Sequence, residues 1–249
     1  MSFEASRELA SLVTQAGDSF IDAALAELEQ FHTQAGGVLL GADSVTQARQ
    51  GLSPLALLLL SVLASLWADT LNTLMRDAHA RLKLPAPLRY TAGEARDFMS
   101  PGVQSLVRSA LLTYRVNQAT RENLKRAWER QYERGGAFTA LRGSIRGATH
   151  GTLNTLTVAS VIDTASQKGD DWMLGAYNPL DERTAALDWA LCTNEGQRLV
   201  TARGRTVQSI PGLIGKYTFA NAWVPGSPRQ GGDTHDGCRC VLIPERRAG

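Results

Sequence analysis

Between Arg49 and Asp69 the chain carries no charged side chain, and the centre of that interval, Leu55-Ala56-Leu57-Leu58-Leu59-Leu60-Ser61-Val62-Leu63-Ala64-Ser65-Leu66-Trp67, is almost wholly apolar. A run of this kind has to be withdrawn from water on several sides, so it dictates what the rest of the molecule must supply. Its apolar core is shorter than the roughly 20 residues needed to span a bilayer, and Gln47, Gln50 and Asn72 flank it. The expectation is a helix that is buried in the protein or docked on a partner, with no membrane span. Ser53-Pro54 predicts the start of that helix, with Ser as N-cap and Pro at the first helical position, where its missing N–H costs nothing. No Gly or Pro follows before Leu84-Pro85, which allows a helix of roughly 45 Å. Its second half becomes amphipathic through Leu71, Leu74, Met75, Ala78 and Leu82.

The remainder of the first two thirds also carries helical spacing. Leu9, Leu12, Val13, Ala16, Phe20, Ala24, Leu28 and Phe31 recur at three- and four-residue steps, predicting one amphipathic helix that ends before Gly36-Gly37. Pro85-Ala86-Pro87 predicts a rigid extended link. A further helical region is expected from about Pro101, through Val103, Leu106, Val107, Ala110, Leu111, Tyr114, Leu124, Trp128 and Tyr132, to Gly135-Gly136. Another runs from about Phe138 to Ala165, where Gly143, Gly147 and Gly151 either permit close packing or divide it in two.

After Lys168-Gly169-Asp170-Asp171 the pattern changes. Short β-type runs appear at Trp172–Tyr177, Leu199–Thr201, Tyr217–Phe219 and Cys240–Ile243, punctuated by Asn178-Pro179, Pro225-Gly226 and Gly231-Gly232. The fold class expected is therefore α+β: a mainly helical N-terminal part, residues 1–136, followed by a small α+β domain with short strands, residues 137–249. No internal repeat or low-complexity tract interrupts it. The N-terminus, Met1-Ser2-Phe3-Glu4, has an acid where a secretory leader has basic residues, and three cysteines do not make a disulfide framework. Synthesis in a reducing cytosol follows as the expectation.

Charge is uneven. From Arg108 to Arg146 the basic residues Arg108, Arg115, Arg121, Lys125, Arg126, Arg130, Arg134, Arg142 and Arg146 face only Glu122, Glu129 and Glu133. Such a stretch suits DNA phosphate or an acidic partner. It equally suits a solvated helix face laced with pairs such as Glu122/Arg126, Arg126/Glu129 and Arg130/Glu133.

Chemistry concentrates in the tail, His235-Asp236-Gly237-Cys238-Arg239-Cys240, which holds two of the three cysteines. Asp236-Gly237 is a turn dipeptide, and on a following strand Cys238 and Cys240 share one face while Arg239 takes the other. His235 folded back by the turn, with Cys192 from upstream, would complete a set of three thiolates and one imidazole, known for structural zinc. Reduced thiols in a buried cluster and a disulfide from Cys192 fit the same residues, whereas a Cys238–Cys240 disulfide is disfavoured by their separation. Cys238 or Cys240 as a nucleophile with His235 as base is the enzymatic alternative, but nothing else in the chain resembles an acyl-transfer site. His32, His79 and His150 stand alone on helical stretches and are expected to be surface or capping residues. No phosphate-binding Gly loop, His-Glu-x-x-His or Gly-x-Ser-x-Gly is present.

The segment Thr234-His235-Asp236-Gly237-Cys238-Arg239-Cys240-Val241-Leu242-Ile243-Pro244 resembles the His-Pro-Asn-Cys-Arg-Cys-x-(apolar)-x-Pro signature that closes the phage head morphogenesis domain. That domain defines minor head proteins similar to the F protein of phage Mu. The family's upstream Asp-x-Arg-Thr element, with a Cys or His and then a Gly after it, is similar to Asp181-Glu182-Arg183-Thr184, Cys192 and Gly196. An aromatic strand at Trp172–Tyr177 and a helix at about 149–166 also fit, so the resemblance spans roughly residues 137–245. Two positions depart from it: Asp236-Gly237 stands in place of Pro-Asn, and Cys192 follows Thr184 at a longer gap. The resemblance implies a non-enzymatic minor capsid protein, made in the host cytoplasm and carried inside the virion head. Its implied partners are the portal protein, other head proteins and packaged DNA, with Asp181, Arg183, Thr184 and Arg239 as family-motif residues. Some relatives carry a toxin domain beyond the signature; here Glu245-Arg246-Arg247-Ala248-Gly249 follow it. The alternatives are a small zinc- or cysteine-dependent enzyme using His235, Cys238 and Cys240, and a DNA-binding module.

Overall fold

The structure, a computed structural model, describes residues 2–97, 123, 126, 136–167, 172–177, 216–217 and 241–246. These are mostly helical: α1 spans Ser2–Gly41, α2 Val45–Arg81, α3 Ala92–Asp97 and α4 Gly136–Ala165. Strands β1 (Trp172–Tyr177), β2 (Lys216–Tyr217) and β3 (Val241–Arg246) form an antiparallel sheet in the order β2-β1-β3. Two compact units are present, each discontinuous in sequence. One takes residues 1–17, 71–89 and 150–249, and the other residues 18–70 and 90–149.

In the second unit α1 and α2 form a helical hairpin across Ala42-Asp43-Ser44. The expected end of α1 at Gly36-Gly37 is corrected: the helix continues to Gly41. Two mid-helix glycines cost about 1 kcal/mol each, but Ala35 and Leu39 on either side of them are fully buried. Burying one leucine is worth about 1.5–3 kcal/mol, so tertiary burial carries the helix through.

The start of α2 is corrected as well. It begins at Val45, and Pro54 lies inside the helix. Ser44 is the N-cap: its hydroxyl accepts the Gln47 N–H at 3.2 Å, while Gln47 Oε1 reaches back to the Asp43 N–H at 2.8 Å. Ser44-Val45-Thr46-Gln47 is thus a capping box with its return bond shifted one residue, to Asp43, and it outranks Ser53-Pro54 as a start signal. The Ser53 hydroxyl instead donates back to the Arg49 carbonyl at 2.9 Å. Pro54 removes one helical hydrogen bond, and burial of Leu52 and Leu59 around it holds the helix together.

The inner side of this hairpin is built from Phe20, Ile21, Ala24, Leu28, Phe31 and Leu39 of α1 and Leu52, Leu59, Leu63 and Trp67 of α2. Phe20 meets the edge of Trp67 at 4.9 Å between ring centroids and 70° between planes, a geometry worth about 0.5–1.5 kcal/mol beyond area burial. Along α4, Arg142 forks onto Asp22 and Arg146 onto Asp18, the latter at 2.9 and 2.8 Å. The numbers run in opposite directions, so α1 and α4 are antiparallel there. The short α3 opens with a second capping box. Glu94 accepts both the N–H and the hydroxyl of Thr91 at 2.8 Å, which lowers its carboxyl pKa below the usual value.

In the first unit α2 ends in a Schellman motif. Leu84 N–H bonds the His79 carbonyl at 2.9 Å and Lys83 N–H the Ala80 carbonyl at 3.2 Å, with Lys83 at φ 54°. Leu84 then packs on Val161 and Ala165 of α4 with Leu82 beside it, followed by the extended Pro85–Pro87 link. Helix α4 is continuous through Gly143, Gly147 and Gly151. Gly17 of α1 faces the His150 imidazole so closely that a β-carbon there would overlap the ring.

Gly17→Ala is therefore expected to destabilise the protein by about 1–3 kcal/mol in urea unfolding, through overlap with His150. Lys83→Gly is expected to stabilise it by roughly 0.5–1 kcal/mol. Relief of the left-handed conformation there exceeds the added entropy of an unfolded glycine.

Candidate functional site

The tail residues His235, Cys238, Arg239 and Cys240, together with Cys192 and the element Asp181, Arg183 and Thr184, lie outside the described residues. What the structure describes is the strand the tail enters. Val241, next in the chain after Cys240, pairs with Tyr177, and β3 then runs antiparallel to β1 through Leu242↔Ala176, Ile243↔Gly175 and Pro244↔Leu174. Ile243 is buried. Pro244 has no N–H to give, and β3 is an edge strand of the described sheet, the position where proline is tolerated. The expected strand at Trp172–Tyr177 is present as β1, and of that expected at Cys240–Ile243 the described part begins β3 at Val241 and extends to Arg246. The run at Leu199–Thr201 lies outside the described residues, and Lys216–Tyr217 form β2. Among the described residues no group of three or more His, Cys, Asp or Glu could hold a metal.

Of the basic stretch, Arg108, Arg115, Arg121, Lys125, Arg130 and Arg134 lie outside the described residues, as do the glutamates expected to pair with them. Arg126 is helical and exposed, and donates to Asn123 Oδ1 at 2.6 Å. Arg142 and Arg146, counted in the sequence as part of the same basic field, are committed to Asp22 and Asp18. Two of the nine positive charges are thus neutralised locally, at acids more than one hundred residues upstream.

The histidines are corrected outright. His32, His79 and His150 are all buried, none a surface residue. His79 bonds the Pro85 carbonyl through Nδ1 at 2.7 Å and the Ser160 hydroxyl through Nε2 at 2.9 Å. A carbonyl only accepts, so Nδ1 carries the proton, and in the neutral ring Nε2 accepts from Ser160. The arrangement resembles a nucleophile held by a base, but Ser160 sits mid-helix, where backbone N–H groups are already spent on helical bonds and none is left to stabilise an oxyanion. The node clamps α2, the Pro85 link and α4 together. His150, Asn154 and Thr157 add a buried polar stripe at helical spacing on α4, with the Thr157 hydroxyl on the Leu153 carbonyl at 2.7 Å. Ser6 of α1 is buried in the same unit.

The other candidate feature is apolar. Leu57 and Leu58 of α2 are 69% and 56% exposed, and Leu40 near the end of α1 is 56% exposed. Leu58 also lines a groove of about 220 Å³, with Leu55, Leu59 and Val62 on its wall and Glu27, Gln30, Phe31 and Gln34 on the other. Of the first half of α2, expected to be covered by this chain or by another, this chain covers the side that carries Leu52, Leu59 and Leu63. Among the described residues α2 is the one helix long and apolar enough to cross a membrane by length and composition, with a third of its most apolar window buried. Its inner face, carrying Leu63 and Trp67, is already core.

No family model, no curated protein and no solved structure matches the chain.

Ser160→Ala is expected to cost about 1–2 kcal/mol, because it strips a buried imidazole nitrogen of its partner. Burial lowers the His32 pKa below its ordinary 6.5. Below pH 6.5 the unfolded chain therefore binds a proton that the folded chain does not, and stability falls with pH until the folded pKa is passed. His32→Gln should flatten that dependence in unfolding titrations between neutral and mildly acidic pH, by no more than about 1.4 kcal/mol per pH unit.

Proposed function

We propose that this chain is a minor head protein of a tailed phage or prophage, held inside the capsid at the portal, where it aids assembly or DNA delivery. The observation that carries the reading is the tail signature His235-x-x-Cys238-Arg239-Cys240 running directly into the edge strand β3. In this reading the C-terminal part is a small α+β domain, and the tail is a structural clasp with Asp181, Arg183, Thr184 and Arg239 as its motif residues. The helical N-terminal part is the docking region, supported by the exposed leucines of α2. A non-enzymatic role follows from the nature of the tail set: four protein ligands would close a zinc site and leave no open position for chemistry. Packaged DNA is the natural counterpart of the basic residues Arg108 to Arg130.

The full chain is expected to copurify with the portal protein of the same phage or prophage and to be found in purified virions by mass spectrometry. Leu57→Glu with Leu58→Glu, two changes at exposed positions, should abolish copurification while leaving the melting transition in place. Absence of the wild-type chain from both preparations would sink the assignment. Elemental analysis addresses the clasp: one zinc per chain, lost together with folding in Cys238→Ser, marks a metal staple. A metal-free protein with a reactive, acidic thiol would favour the cysteine-dependent enzyme instead.

A further inference from the structure

We infer that the groove between α1 and α2 seats an amphipathic helix of a protein partner, leucine-rich on the face it inserts and bearing Lys or Arg along the edge that meets Glu27. The inference deepens the docking reading above and rests on it for the partner's setting. Three observations bear on the occupant.

First, the groove wall on α2 repeats at Leu55, Leu58, Leu59 and Val62, the spacing of a helix face prepared to interdigitate with another helix. At about 220 Å³ the groove is smaller than the roughly 300–1,000 Å³ of small-ligand sites. It suits the side chains of an inserted helix face better than a cofactor.

Second, the opposite wall is polar and its charge is one-sided. From Asp18 to Gly41, α1 contains Asp18, Asp22, Glu27 and Glu29 and no Lys or Arg. Asp18 and Asp22 are already matched by Arg146 and Arg142, whereas Glu27, half-buried at the groove, has no ion pair among the described residues. A cation supplied by the partner complements it.

Third, the same wall argues against the other occupants. Acyl chains filling the groove would desolvate a carboxylate and the amides of Gln30 and Gln34 without offering a donor or acceptor in return. A second copy docking by two-fold symmetry through this groove would bring two Glu27 carboxylates into one interface whose lining carries no cation to match either.

The test uses the full chain and two synthetic helical peptides, one with a leucine face edged by lysine, the other with glutamate in place of each lysine, titrated by calorimetry. The lysine peptide should bind one-to-one, and Leu58→Asp and Glu27→Lys should each weaken it at least roughly tenfold. Glu27→Lys should in turn prefer the glutamate peptide, a reversal that a folding defect cannot produce. Failure of either peptide to saturate the protein, or binding indifferent to both substitutions, overturns the proposal. So does Leu58-dependent flotation with phosphatidylcholine–phosphatidylglycerol vesicles, or Leu58-dependent dimerisation in light scattering, when the charge reversal is absent. If the charge reversal holds while portal copurification fails, the groove stands and the portal assignment falls. The opposite pattern removes the groove alone.

Discussion

The helical packing of this protein turns on the need to cover one face of α2. Leu52, Leu59, Leu63, Trp67, Leu71, Leu74, Met75 and Ala78 are buried along its length. Each large side chain among them is worth about 1.5–3 kcal/mol when withdrawn from water, which makes this stripe the dominant stabilising surface. Within the second unit the hairpin partner α1 covers it with Phe20, Leu28 and Phe31, and the Phe20–Trp67 edge contact adds direction to an otherwise non-directional attraction. The same force explains why α1 tolerates Gly36-Gly37 and why α2 tolerates Pro54: local penalties of a few kcal/mol are outweighed by the leucines beside them.

Apolar packing alone leaves helices free to slide past one another, and the first unit answers this with polar groups in its interior. The His79 ring bridges Pro85 and Ser160, His150 fits the space left by Gly17, and Asn154 and Thr157 continue the polar line. Such groups are expensive to bury unless their partners sit at one register, so they penalise every other register. The Arg81–Glu8 pair at 2.9 Å is too exposed to contribute much. In the second unit the forked Arg142–Asp22 and Arg146–Asp18 pairs align α1 and α4 and use up two of the positive charges of the basic stretch.

How much of this was legible in the chain differs by feature. The long helices were visible because three- and four-residue spacing of Leu, Val and Phe survives any context, and the strands at Trp172 and Val241 because apolar residues cluster between turn dipeptides. Helix boundaries were less visible. Ser53-Pro54 satisfies the same rules as a true start, while the real signal, Ser44-x-x-Gln47, is equally short. The buried histidines carried no sequence signal at all, since a lone imidazole in a helix looks the same whether it faces water or a hydroxyl eighty-one residues away. Of the candidate functional residues, the tail set is legible by residue type and spacing, whereas Glu27 and Gln34 carry no sequence signal because each is an ordinary polar residue on an amphipathic helix.

The sequence by itself determined that a charge-free leucine run would become a helix with a buried face, that its neighbours would be helices, and that His235, Cys238 and Cys240 stand in the chain just before a C-terminal strand. These follow from local spacing and composition, which act through the nearest few residues. Tertiary structure alone decided where helices stop, which arginines are spent on carboxylates, and which leucines stay outside. Those outcomes depend on what lies across the packed interface. The exposed pair Leu57 and Leu58 stands beside the buried pair Leu59 and Leu63 on one helix. Nothing in the residue types separates them; only the position of α1 does.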